Sequence, residues 1–155
     1  MSELNELEQD FVNEQKGEGS LSVYLANNGE KGDYLGWDIH LENIEALYFD
    51  GIGVPRWDSL EAETVEEKTA LYWERFNAVM EALPLIGRMR DTDEEIDYSA
   101  AEIDPLTGEC DRVLLGTTNE KAVRAAQKIS RAAWHAAEAG AGLKLVPSQI
   151  AVPMF

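Results

Sequence analysis

Ser20-Leu21-Ser22-Val23-Tyr24-Leu25-Ala26, then Asn27-Asn28-Gly29-Glu30-Lys31-Gly32-Asp33, then Tyr34-Leu35-Gly36-Trp37-Asp38-Ile39-His40-Leu41, is the stretch that decides the fold. Its first seven residues alternate as a strand with one buried face does. Asn-Gly adopts positive φ readily, so the middle segment reads as a turn. The last eight residues read as the return strand of a hairpin, with Leu35, Trp37, Ile39 and Leu41 on one face. Tyr34, Gly36, Asp38 and His40 lie on the other.

Working outward, residues 1–19 form an acidic N-terminal segment in which Leu4, Leu7, Phe11 and Val12 are spaced for a short, loosely docked helix. Residues 20–155 then read as a single domain. Glu45 to Asp50 is a third, weaker strand candidate. Thr64, with Glu67 three residues on, opens a helix by a capping-box arrangement, and Pro84 ends it. Val65, Thr69, Tyr72, Phe76, Val79, Met80 and Leu83 recur every three or four residues, so they are expected to form its buried seam. Ser99 to Leu115 reads as one or two helical turns broken by Pro105. Asn119 or Thr118 caps a last helix through Ala139, whose seam is Ala122, Ala126, Ile129, Ala133 and Ala137, with Val123 and Trp134 beside it. Gly140 to Gly142 ends that helix, and Leu143 to Val146 reads as a late strand. Strands first, helices next and one late strand imply an α+β fold: a mostly antiparallel sheet packed by two main helices.

The charge is lopsided. The chain carries 30 acidic and 13 basic residues, a net of −17. Residues 1–60 hold 13 acids and 3 bases, residues 61–100 hold 11 and 4, and residues 101–155 hold 6 of each. The excess therefore lies wholly in the first 100 residues. Such a field repels nucleic acid and anionic lipid and steers basic proteins inward. Hydrophobic residues make up 45% of the chain, enough for a packed core and against disorder. A single cysteine, an acidic N-terminus without an apolar run and no spanning segment point to a cytoplasmic protein.

No catalytic motif emerges, and the reading is of a binding protein rather than an enzyme, with no cofactor. Asp91, Asp93, Glu95, Asp97, Ser99 and Glu102 match the ligand positions of a calcium loop, but Ile96 stands where the loop requires glycine, so no calcium site is expected. His40 and His135 lie in unrelated segments, with His40 expected to face solvent, and zinc would need clustered ligands. Cys110 has no neighbouring base and reads as a small buried residue. Aromatic and acidic residues interleave between positions 33 and 58. Asp33, Tyr34, Trp37, Asp38, Tyr48, Asp50, Trp57 and Asp58 are the expected partner-binding set, because aromatic anchors in an acidic rim suit a basic partner.

Leu83-Pro84-Leu85-Ile86-Gly87-Arg88-Met89, Tyr98-Ser99-Ala100-Ala101-Glu102-Ile103, Glu109-Cys110 and Ala139-Gly140-Ala141-Gly142-Leu143-Lys144-Leu145-Val146-Pro147 resemble a family of small bacterial proteins without assigned function. The overall plan resembles the immunity proteins of bacterial polymorphic toxin systems, which implies an acidic stoichiometric inhibitor of a basic toxin. Two alternatives stand beside it: a nucleic-acid-mimicking inhibitor of a DNA-binding defence protein, and a small metal-dependent enzyme or sensor built on residues 91–102. Strand edges and the small-residue seam also make a homodimer an expectation to test.

Overall fold

In the computed structural model of the protein, residues 2–13, 19–90 and 92–148 are described. Strand β1 (Ser20–Asn27) and strand β2 (Glu30–His40) form the expected hairpin. Its turn is tighter than the sequence suggests, only Asn28 and Gly29, both at positive φ (54° and 83°), as a two-residue hairpin turn requires. Strand β3 (Ile96–Tyr98) and strand β4 (Gly142–Ser148) complete a four-stranded sheet in the order β2-β1-β4-β3. Every pair is antiparallel. The late strand is thus central, between β1 and β3. Gly142 is required there, since a Cβ would fall 2.1 Å from the Tyr98 carbonyl oxygen.

Helix α5 (Glu120–Ala139) lies on the face carrying Leu21, Val23, Ile39, Leu143 and Leu145. Asn119 Oδ1 accepts the Ala122 N–H at 3.0 Å, and Gly140 closes the helix at φ 64°. Six of its alanines are buried, with Lys128 and Ile129, so it seats closely against the sheet and helix α4 (Ile103–Gly116). Within the expected seam, only Ala137 is exposed. The remaining seam residues are spent inside the chain and are not offered to a second copy.

Three expectations are corrected. Glu45 to Asp50 is no strand: helix α2 (Leu41–Ala46) runs into a π turn, Leu47–Gly51, closed by Ile52 N–H on the Leu47 carbonyl at 2.8 Å. Pro105 does not break α4, because it sits in the first turn, where its missing N–H has no intrahelical partner to lose. A capping box of Ser99 and Glu102 starts the short 3-10 turn, Ala100–Glu102, that leads into α4. Helix α1 (Ser2–Asn13) is docked rather than loose. Phe11 is buried against Trp37, and Glu8 pairs with Arg131 and His135 of α5.

Helix α3 (Val65–Ala82) begins at the expected cap, Thr64 Oγ1 accepting the Glu67 N–H at 3.1 Å, but the box is not closed, because the Glu67 carboxylate accepts the Glu63 N–H at 3.3 Å instead of that of Thr64. Its seam packs against the edge of the core rather than being fully enclosed by it. Phe76 is the sole buried residue of α3, Tyr72, Val79, Met80 and Leu83 are half-buried, and Val65 is exposed.

Candidate partner-binding surface

The eight expected residues divide between two regions. Trp37 and Asp38 are only 2% and 7% exposed, so neither presents a side chain to a partner. The indole of Trp37 lies 5.4 Å from the Phe11 ring and 5.9 Å from the His135 ring, in the core that α1 and α5 close over β2. Asp38 points to the opposite face of the sheet, where it accepts hydrogen bonds from the Tyr34 hydroxyl (2.6 Å) and the Ser20 hydroxyl (3.1 Å). Tyr34 is half-buried, and burial followed by the bond to Asp38 pushes its phenol pKa up. His40 is half-buried rather than turned out to solvent. Asp33 is exposed on β2.

The other four, Tyr48, Asp50, Trp57 and Asp58, flank α3, and there the structure assembles a surface. Trp57 is 40% exposed, and its ring lies 6.0 Å from that of Tyr72. Trp73, 50% exposed, stands edge-on to Tyr72 and Phe76 at 5.3 Å from each. Exposed aromatics in contact, rather than scattered singly, mark a recognition surface. A cleft of about 380 Å³ opens between Phe49, Pro55, Arg56, Trp57, Asp58, Ser59 and Tyr72. Tyr48 supports its floor, edge-on to Phe49 at 5.3 Å, and burial raises its phenol pKa.

A second cleft of about 490 Å³ shares Arg56 with the first and is lined by Glu42, Glu45, Asp50, Glu120, Asn119, Ala46 and Lys121. Four carboxylates face two cations there. Lys121 reaches Glu42 at 3.3 Å, and Asn119 Nδ2 donates to Asp50 at 3.2 Å. Along residues 58–82 the chain adds seven acids, Asp58, Glu61, Glu63, Glu66, Glu67, Glu74 and Glu81, against Lys68 and Arg75. Acids thus outnumber bases along this segment, while the rings themselves carry cations, Lys68 Nζ at 4.9 Å from the centroid of Trp57 and the Arg90 guanidinium at 5.6 Å from that of Phe76.

Elsewhere the reactive groups are tied down. Cys110 is fully buried, and burial, then the charges of Glu109 and Asp111, pushes its thiol pKa up, away from the nucleophilic thiolate. The buried Glu109 carboxylate accepts the N–H groups of Leu85 (3.1 Å) and Ile86 (2.8 Å), which fastens the turn after α3. Glu102 is held by Arg88 and by the Ser99 N–H, with its pKa lowered to about 2, Arg88 being the largest cause. Asp91, first position of the calcium alignment, lies outside the described residues, and Ile96 to Tyr98 is strand. Among the described residues no three His, Cys, Asp or Glu side chains are grouped to hold a metal. Nor is any described helix long and apolar enough to cross a membrane.

Sequence reading passed over Tyr72, Trp73 and Arg56 as surface groups. Tyr72 and Trp73 lie four and three residues before Phe76, one on each side of its face, so helical spacing alone gave no sign that Trp73 is exposed. No protein-family model, curated protein or solved structure matches the chain.

Proposed function

We propose that this protein is a stoichiometric inhibitor, an immunity protein that binds a basic bacterial toxin and occludes it, and that it performs no catalysis of its own. The observation that carries the reading is the contiguous Trp57–Tyr72–Trp73 cluster, its two indoles exposed, on a segment where acids outnumber bases seven to two. Long-range attraction brings the basic partner in, and desolvated aromatics then hold it. A second copy of this chain is a poor occupant, because two such surfaces would oppose seven acids and two bases to their like.

The test is capture from the native host with the wild-type chain and with Trp57→Ala and Trp73→Ala, followed by assay of the retained protein. Support is a basic protein, lost from both variants, whose activity falls to zero at one molar equivalent. Its on-rate should drop steeply as ionic strength rises toward about 0.5 M, where the Debye length shrinks to a few Å. Equal retention by the variants, or an on-rate indifferent to salt, would remove this surface from the mechanism.

A further inference from the structure

Arg56 stands at the wall between the aromatic and the acidic cleft. Its guanidinium carbon lies 4.2 Å from the centroid of the Phe49 ring. Its nitrogens approach Glu45 at 3.9 Å and Asp50 at 3.7 Å. An aromatic face backed by two carboxylates is the chemistry that recognises a guanidinium, through cation–π contact on one side and paired acceptors on the other. Both approaches are longer than a hydrogen bond, so Arg56 fills the cradle by charge and stacking alone. Its backbone explains why. Arg56 is extended (φ −91°, ψ 129°) and its carbonyl accepts the Ser59 N–H at 3.0 Å, which starts the short helical turn Trp57–Ser59. The side chain enters from a fixed point.

We infer that Phe49, Glu45 and Asp50 form an arginine-binding site, and that Arg56 is its internal placeholder, displaced when a partner's arginine docks. The inference rests on the inhibitor reading for its biological occupant, but not for its chemistry. A guanidinium arriving from solvent is free to align its planar fork for bidentate bonds that Arg56 does not make. Lysine has no such fork and stacks less well, so the site discriminates arginine from lysine. Arg56 competes as an intramolecular ligand at an effective concentration that a partner must overcome. Removing it should therefore strengthen binding, the opposite of what losing a surface contact does.

The probes are the peptide Ac-Gly-Arg-Gly-Arg-Gly-amide and its lysine counterpart, titrated into the full chain at about 0.15 M salt and followed by NMR shifts at residues 45–58. Arg56→Gln should tighten the arginine peptide roughly five- to tenfold. Arg75→Gln, which removes the same charge from an exposed position on α3, should change it less than about twofold. Glu45→Gln with Asp50→Asn should abolish the arginine preference. The site is refuted if Arg56→Gln acts no more strongly than Arg75→Gln, or if both peptides gain equally. Should the cradle pass while no basic partner is inhibited, the inhibitor reading fails alone. Should the cradle fail while Trp57→Ala still releases a basic toxin, this inference fails alone.

Discussion

Helices α5 and α3 differ by two residues in length, 20 against 18, and both show apolar residues at helical spacing. Eight residues of α5 are buried, and one of α3. Side-chain size accounts for much of the contrast. Six of the eight in α5 are alanines, which let the helix sit close to α4 and the sheet. On α3 the corresponding positions are Tyr72, Trp73 and Phe76, whose rings touch one another, with Phe76 in the core, Tyr72 at its edge and Trp73 half exposed. Periodicity says which residues share a face. It does not say whether that face meets the core or a partner.

The largest effects should come from the anchors of each helix. Phe76→Ala is expected to cost about 3–5 kcal/mol and Ile129→Ala about 2–5 kcal/mol, read from urea denaturation midpoints. The comparison breaks if Trp73→Ala costs as much as Phe76→Ala, for then α3 would be an ordinary core helix. Trp73→Ala and Trp57→Ala should instead cost about 1–2 kcal/mol, since each indole keeps ring contacts with Tyr72 or Phe76 while being 40–50% exposed. Their further effect should fall on the complex, where loss of a hot spot worth about 2 kcal/mol speeds dissociation about 30-fold. Thermal midpoint and off-rate measured on the same proteins separate stability from recognition.

Local signals were legible where chain neighbours decide the outcome. The Asn28-Gly29 turn, the Thr64 and Asn119 caps and the Gly140 stop each depend on a few adjacent residues, and each is present. What escaped depends on distant partners. β3 lies inside the acidic run and exists because Ile96, Asp97 and Tyr98 pair with β4, while Lys144 binds Asp97 at 2.8 Å and Glu95 at 3.1 Å. Trp37 reads as a surface aromatic until α1 is seen to bring Phe11 over it. Of the candidate surface, Trp57, Asp50, Asp58 and Tyr48 were legible from composition. The contribution of α3 was not, because it required knowing that the sheet is already covered by α5.

An intermediate effect should come from acid. Glu102, with its pKa lowered to about 2, favours the folded state fully above the ordinary carboxylate range. That contribution fades as pH falls from about 4.5 toward 2. Arg88→Gln should remove it, so the stability gap between this variant and wild type should close over the same window. Arg88 also donates to the Asp97 carbonyl at 2.6 Å, so a residual gap at the acid end would measure that neutral contact.

The smallest effect tests how α5 holds its outer layer. Burial pushes the Glu8 carboxyl pKa up, but hydrogen bonds from Arg131 and His135, with their charges, outweigh it and leave the pKa lowered. A lowered carboxylate pKa means stabilisation present above the unfolded value of about 4.5 and lost as pH falls through the folded one. The pair is part-exposed, so Glu8→Gln should cost only about 1 kcal/mol at pH 7, near the upper end for surface ion pairs. Phe11 keeps α1 seated meanwhile, since it is buried under the guanidinium of Arg124, 5.3 Å from its ring. Differential scanning calorimetry at pH 7 and near pH 3 decides the matter. A gap that narrows in acid assigns the docking of α1 to charge as well as to Phe11. One that persists unchanged would mean that Glu8 acts through the hydrogen-bonding pattern of its side chain to Arg131 and His135 rather than through its charge.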